Sequence, residues 1–140
     1  MGKCYNRIAV DKPIEEVWQA VSDFHDMGWA EGVITSVEKV GSVEGHHIGA
    51  KRILNNAFHE TLIDYDNFHH RFAYRIEDGP GPVSHNSVKD YIGIVQLTEM
   101  PEGTLVEWSS SYRSKNESEV AEFCNPIYTA LLDAMRKNIH

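Results

Sequence analysis

The stretch between Glu60 and Tyr112 constrains the fold most, because apolar and polar residues alternate through four successive segments. Each segment is short and is bounded by Gly, Pro, Asn or Asp, which favour turns. A period of two places neighbouring side chains on opposite faces of a strand, and short connections favour antiparallel pairing. The segments therefore predict an antiparallel meander with an aromatic inner face. The residues predicted for that face are Phe72, Tyr74, Ile76, Tyr91, Val95, Leu97, Val106, Trp108 and Tyr112.

The remaining sequence predicts three more strands and two short helices near the N-terminus. Ile14, Val17, Trp18 and Val21 follow the spacing of one apolar helical face. Asp11 is expected to cap this helix, and a second short helix or turn is expected between residues 23 and 29. The seven predicted strands cover residues 4–10, 33–40, 48–54, 58–65, 71–77, 91–98 and 104–112.

The last segment predicts a long helix with an apolar stripe from Val120 to Met135. Ser114 and Glu117 have the spacing of a capping box at its start. Pro126 lies inside the pattern, where it removes a backbone hydrogen bond and is expected to bend the helix. We therefore predict an α+β fold in which a seven-stranded curved antiparallel sheet wraps around the long C-terminal helix.

The length and charge of the chain exclude several classes of function. The 140 residues suit a single domain, assigned to residues 1–140. A formal net charge of −8 disfavours nucleic acid as a partner, and no apolar run is long enough to insert into a membrane. With no signal sequence recognised, we expect a cytoplasmic protein. Cys4 and Cys124 both fall at apolar positions and are expected to be buried, reduced thiols.

No motif in the sequence predicts a cofactor or a metal site. The adjacent pairs His46–His47 and His69–His70 point to opposite faces of an extended chain and cannot chelate together. The other histidines lack the spacings of known metal motifs. We therefore expect neither a cofactor nor a metal ion. Exposed edge strands leave formation of a homodimer open.

Several short motifs, taken in order, resemble the START-like superfamily. This superfamily, also called SRPBCC, includes polyketide cyclase/dehydrase-type proteins and the major birch pollen allergen. The resemblance covers nearly the whole chain and implies the helix-grip fold, with a cavity between sheet and long helix for apolar or aromatic small molecules. The motifs are Val10–Phe24, Gly49-x-x-Arg52, Glu60-x-Leu62 with Tyr65-Asp66, Tyr74-x-Ile76, Pro82-Val83, Tyr91 with Gly93, and Val106-Glu107-Trp108.

Arg52 and Glu60 are the most specific candidates for a polar site in that cavity. They flank the Asn55–Asn56 turn symmetrically, which places them opposite each other in a hairpin. One interpretation is a structural cross-strand ion pair. The other is a pair in the cavity wall, in which Arg52 binds a carboxylate, phenolate or carbonyl of the ligand.

Three functions remain open from the sequence. The leading one is binding of a small hydrophobic or aromatic ligand, lipid- or polyketide-like. An alternative is a polyketide cyclase/dehydrase-like enzyme, with Arg52, Glu60, Tyr74 and Tyr91 as catalytic candidates and a carboxylate (Glu60, Asp64 or Asp90) as base. A third is a non-catalytic interaction module with a filled core. The predicted ligand-binding residues are Arg52, Glu60, Tyr74, Tyr91, Trp108, Tyr112, Phe123, Ile127 and Leu131.

Overall fold

A computed structural model describes residues 1–139 of the chain. The first half of the molecule contains β1 (Gly2–Val10), α1 (Ile14–Val21), a 3₁₀ turn (Gly28–Ala30), β2 (Val37–Val40), β3 (Lys51–Leu54) and β4 (Phe58–Asp66). The second half contains β5 (Arg71–Asp78), a second 3₁₀ turn (Gly81–Val83), β6 (Lys89–Met100), β7 (Gly103–Arg113) and α2 (Glu117–Asn138).

The seven strands form one antiparallel sheet in the order β1-β7-β6-β5-β4-β3-β2. Helix α2 packs along β1 and also contacts β7 and both 3₁₀ turns. Helix α1 packs on β6 and β7. The predicted helix-grip architecture is therefore confirmed, with the sheet curved around α2 as its central element.

The buried faces follow the predicted period of two. In β6, Tyr91, Val95 and Leu97 are buried, and in β7 the residues Val106 and Trp108 are buried. The inner row also contains Gly93. A larger residue does not fit at this position, because its side chain would collide with the ring of Tyr74 on the neighbouring strand. Helix α2 buries its apolar stripe against this inner face, so sheet and helix share one hydrophobic core.

Both predicted helix caps are wrong in their residues. Asn116 caps α2, where its Oδ1 accepts a hydrogen bond from the Glu119 N–H at 3.2 Å. Ser114 instead donates to the carbonyl of Ser87 at 2.9 Å and accepts from the N–H of Asn116 at 3.1 Å, so it orders the loop before the helix. Helix α1 begins after Pro13 without a side-chain cap, and Asp11 takes no part in it.

The predicted bounds of the first part of the sheet are also too wide. The patterns predict strands from residues 33 and 48, whereas the strands begin at Val37 and Lys51 because tight turns precede both. Gly49 has a φ of 99°, a left-handed conformation that interrupts the extended chain, so β3 begins only after it.

Pro126 does lie inside α2, and Cys4 and Cys124 are buried free thiols. None of the helices within residues 1–139 is long and apolar enough to cross a membrane.

Candidate functional site

The turn between β3 and β4 places the Arg52–Glu60 pair inside the molecule. Asn55 and Asn56 both adopt positive φ angles, 54° and 55°, which Asn tolerates better than most residues. The register that follows pairs Arg52 with Glu60. Both side chains point to the core face, where they are 3% and 6% exposed. The predicted cross-strand pairing is therefore present, and it is fully buried.

The guanidinium of Arg52 is surrounded by protein groups that contact its nitrogens and its faces. Its Nε donates to Glu60 Oε1 at 2.8 Å, and Nη2 lies 2.6 Å from the same oxygen. Nη1 donates to the carbonyl of Phe24 at 3.0 Å and to the sulfur of Met27 at 3.4 Å. The ring of Phe24 lies 3.8 Å from the guanidinium carbon, and the ring of Tyr74 lies at 5.7 Å. All three nitrogens are thus engaged.

Glu60 has one engaged oxygen and one that is outside the ion pair. Both contacts of Arg52 go to Oε1, so Oε2 takes no part in them. Burial raises the pKa of Glu60, and the adjacent Arg52 guanidinium opposes this rise. The pair therefore leaves an acceptor-only carboxylate oxygen in a desolvated position.

A cluster of tyrosine hydroxyls lies beside the ion pair. Trp108 Nε1 donates to the hydroxyl oxygen of Tyr74 at 2.9 Å. The hydroxyls of Tyr91 and Tyr128 hydrogen-bond to each other across the interface between β6 and α2. Desolvation raises the pKa of all three tyrosines, and their mutual proximity raises it further. These phenols therefore stay protonated at physiological pH and remain hydrogen-bond donors.

Within residues 1–139, Ser110 and Trp29 each carry a buried polar atom without a hydrogen-bond partner. Ser110 Oγ makes no bond of normal geometry within residues 1–139, although the hydroxyl is close enough to Tyr91 and Tyr128 to lower their pKa. Trp29 packs its ring on Trp108 with centroids 6.3 Å apart, and its indole N–H is unpaired. Trp29 lies in the core, 7% exposed.

The ion pair and the tyrosines surround a cavity of about 40 Å³ between the sheet and α2. Wider depressions lie on the molecular surface, such as one of about 530 Å³ beside the start of α2, but they are open and lie outside the core. The central cavity is mainly apolar apart from the ion pair and the hydroxyls. Its walls are Met27, Ile34, Arg52, Leu54, Phe58, Glu60, Tyr74, Ile76, Tyr91, Trp108, Cys124, Ile127, Tyr128 and Leu131.

Most of the predicted ligand-binding residues meet at this cavity, and two do not. Tyr112 is buried beside it, where its ring stacks on Tyr91 and its hydroxyl contacts Cys4 Sγ at 3.7 Å and donates to the carbonyl of Glu117 at 3.3 Å. Phe123 packs on Phe58, outside the lining. The residues that line the cavity as predicted are Arg52, Glu60, Tyr74, Tyr91, Trp108, Ile127 and Leu131.

The other candidates from the sequence lie away from the cavity. Asp64 and Asp90 lie on the surface near Arg71 and Arg113, which leaves Glu60 as the carboxylate of the cavity. Met27 lines the cavity from a turn, and Ile34 lies in the part of the predicted strand 33–40 that is irregular in the structure, so neither was predicted as a wall residue. Within residues 1–139, no three His, Cys, Asp or Glu side chains are grouped to hold a metal ion.

Solved structures with the same fold extend over nearly the whole chain. A protein of Nitrosospira multiformis is 38% identical, with a TM-score of 0.95, and the match covers 99% of this chain and 96% of that one. The protein XoxI of Bacillus cereus is 22% identical with a TM-score of 0.83, covering 99% and 96%. Norcoclaurine synthase of Thalictrum flavum, in complex with dopamine and hydroxybenzaldehyde, is 16% identical with a TM-score of 0.74, covering 96% and 84%. These similarities define a helix-grip protein.

The sequence itself identifies the family. Residues 1–140 match the family described as polyketide cyclase/dehydrase and lipid transport, and the chain belongs to it. A search of the curated proteins found no match. Family and fold together support a ligand-binding role and leave the ligand and any activity to be argued from the site.

Proposed function

We propose that this protein binds a small hydrophobic or aromatic molecule in the space between the sheet and α2. The observation that carries the proposal is the set of buried polar groups in the wall of an otherwise apolar cavity. Arg52, Glu60 and the hydroxyls of Tyr74, Tyr91 and Tyr128 all lie there. A few fixed polar groups on apolar walls are typical of a site that orients an apolar ligand.

The ion pair is difficult to explain by stability alone. Removing two charges from water costs several kcal/mol per ion, and well-packed apolar residues of similar volume often replace such pairs without loss. A pair retained at 3% and 6% exposure beside a cavity is therefore better explained by recognition. Norcoclaurine synthase, which shares the fold, carries two aromatic molecules in its structure, which supports an aromatic ligand here.

The volume of the cavity requires its walls to move when a ligand binds. Ligand pockets typically enclose about 300–1,000 Å³, whereas this cavity encloses about 40 Å³. The walls outside the sheet are α2, which contains Pro126, and the segment that contains Met27 and Ile34. We infer that α2 and the loop after β5, which contacts α2 through its 3₁₀ turn, open the cavity. Equal hydrogen exchange in these segments and in the central strands would contradict this route.

Native mass spectrometry of the protein purified from cells tests the binding proposal directly. We expect a stoichiometric adduct that organic extraction releases as an apolar or aromatic compound. A protein that is empty, and that no aromatic or acyl compound of a test panel stabilises against heat, would instead have a filled core. In that case the small cavity is a packing defect and the interaction-module hypothesis replaces this one.

A cyclase/dehydrase-like reaction is the second candidate, and the pairing of Glu60 with protonated phenols favours it. Burial raises the pKa of the Glu60 carboxyl group, which is the direction that general-base catalysis near neutral pH requires, and the phenols could donate to an enolate oxygen as it forms. Turnover of a polyketide-like substrate would then depend on pH through Glu60. A binder with the same ligand but no turnover excludes this reaction.

A further inference from the structure

We infer that the cavity recognises the hydroxyl group of an uncharged aromatic ligand through Glu60 and Tyr74, and that Arg52 is a positioning residue. This inference rests on the proposed ligand-binding function. It reverses the sequence-based hypothesis in which Arg52 binds a carboxylate or phenolate. The reversal follows from which polar atoms at the cavity are engaged and which are not.

Arg52 offers an anionic ligand little of its guanidinium, because only the second N–H of Nη2 has no partner within residues 1–139. Its three nitrogens contact Glu60, the Phe24 carbonyl and the Met27 sulfur, and its planar faces meet the rings of Phe24 and Tyr74. A ligand carboxylate at this N–H would be a second buried anion that shares the single positive charge of Arg52 with Glu60. Two carboxylates at one desolvated site disfavour each other. The cavity is therefore poorly suited to carboxylic acids, including fatty acids.

Glu60 and Tyr74 offer the opposite arrangement. Arg52 contacts only Oε1 of Glu60, so Oε2 is available to accept a hydrogen bond. The oxygen of Tyr74 accepts from Trp108 Nε1, so its phenol hydrogen can be donated either to a ligand or to the neighbouring hydroxyl of Tyr128. The two groups are close enough that Glu60 raises the pKa of Tyr74. Together they provide one acceptor and one donor at the same wall.

A ligand hydroxyl satisfies both groups, because it donates one hydrogen bond and accepts another. A bare hydrocarbon satisfies neither, and a carboxylate supplies no donor for Glu60. The apolar part of the lining, which includes Ile76, Ile127 and Leu131, suits the body of an aromatic ring system. The site therefore favours phenols and aromatic alcohols over hydrocarbons and acids of the same shape.

Three probes with one common body test this preference: para-ethylphenol, ethylbenzene and para-ethylbenzoate. Their dissociation constants at neutral pH are measured from backbone amide shifts in NMR titrations of the full chain. We expect para-ethylphenol to bind at least about tenfold more tightly than either of the others, as a hydrogen bond to a charged group provides. Equal binding of para-ethylphenol and ethylbenzene overturns the inference.

The outcomes separate this inference from the function on which it depends. Tightest binding of para-ethylbenzoate overturns the role assigned to Glu60 and restores Arg52 as the recognition group, while ligand binding itself stands. Binding of none of the three probes removes the proposed function and the inference with it.

Two variants locate the preference within the cavity. The double variant Arg52→Met, Glu60→Leu keeps the volume of the pair but removes its charges. We expect it to lose most of the preference for para-ethylphenol over ethylbenzene, because only the Tyr74 donor remains. Tyr112→Phe is the matched control, because its hydroxyl faces Cys4 and Glu117 and not the cavity. It should keep the full preference. Retention of the preference in the double variant contradicts the inference.

Discussion

The core beneath α1 and the core around the cavity are built on the same sheet but differ in what they bury. Beneath α1, the buried side chains Val17, Leu97 and Val106 are wholly apolar. Around the cavity, the same alternation along the strands buries Arg52 and Glu60. Both regions are equally inaccessible to water. The inner face of one sheet can therefore combine a region that stabilises the fold with a region that carries polar chemistry at a cost in stability.

The largest change in the free energy of unfolding is expected for the ion pair. We expect Arg52→Ala to lower the free energy of unfolding by about 3–5 kcal/mol, because Glu60 is left as an unpaired buried charge. The double variant Arg52→Met, Glu60→Leu should be near neutral or more stable than the wild type. Denaturant unfolding monitored by tryptophan fluorescence measures both. A double variant as unstable as Arg52→Ala would show that the pair itself stabilises the fold.

The apolar core should respond to truncation through packing alone. Leu97→Ala removes buried methyl groups and leaves a void, which we expect to cost about 2–5 kcal/mol of unfolding free energy. Its effect should be independent of pH between 5 and 9, since no titratable partner is lost, and unlike Arg52→Ala it should not be rescued by a second substitution at position 60. Thermal unfolding across this pH range provides the check.

The hydroxyl cluster should give a smaller effect that depends on which oxygen is removed. Tyr128→Phe leaves the Tyr91 hydroxyl without its partner, with an expected loss of about 1–3 kcal/mol. Ser110→Ala removes a hydroxyl that has no bond of normal geometry and should change stability by less than about 1 kcal/mol. A loss in Ser110→Ala as large as that in Tyr128→Phe would mean that the serine is part of the hydrogen-bonded cluster.

The smallest effect is expected on the surface, at the base of the loop after β5. The Asp78 carboxylate accepts hydrogen bonds from the backbone N–H and the side chain of His85, which lower the pKa of Asp78 to about 2. Because the folded pKa lies below the ordinary value of about 3.9, the associated stability is present above that value and is lost as the pH falls through about 2. A titration of Asp78 followed by NMR should show this midpoint.

The His85→Ala variant isolates the contribution of the side chain in that loop. The backbone N–H remains as a donor in the variant, so the pKa of Asp78 should rise only part of the way towards 3.9. A full return to that value would assign the shift to the imidazole and contradict the larger role of the backbone donor.

The sequence was sufficient for the architecture and for most of the cavity wall, because both follow from periodicity. Alternation along the strands places Tyr74, Tyr91 and Trp108 on the inner face, and the symmetric flanks of the Asn55–Asn56 turn place Arg52 opposite Glu60. Two residues of the cavity wall do not follow from periodicity. Met27 and Ile34 come from irregular segments fixed by tertiary contacts, and at Ile34 the local pattern predicted a strand that begins only at Val37.

The errors at the helix caps and around Tyr112 have related physical causes. Ser114 and Asn116 are both good capping residues, and only the hydrogen bond of Ser114 to Ser87 in another loop decides between them. Tyr112 has the correct alternation for the inner face, but the face extends beyond the cavity to the region covered by the start of α2. Periodicity predicts the side of the sheet and not the position along it.

The Asn55–Asn56 turn also determines how the interior could change during evolution. An insertion or deletion of one residue in it would shift the pairing of β3 with β4 and reverse the faces of one strand relative to the other. Arg52 and Glu60 could then no longer share the interior, and Ile53 would compete for the position of the arginine. Asn55 also accepts a hydrogen bond from the Thr35 N–H at 2.7 Å, in the segment that supplies Ile34 to the wall. A change in the length of one surface turn could thus make the cavity wall apolar at Arg52 and Glu60. The wall residues on the other five strands would not have to change.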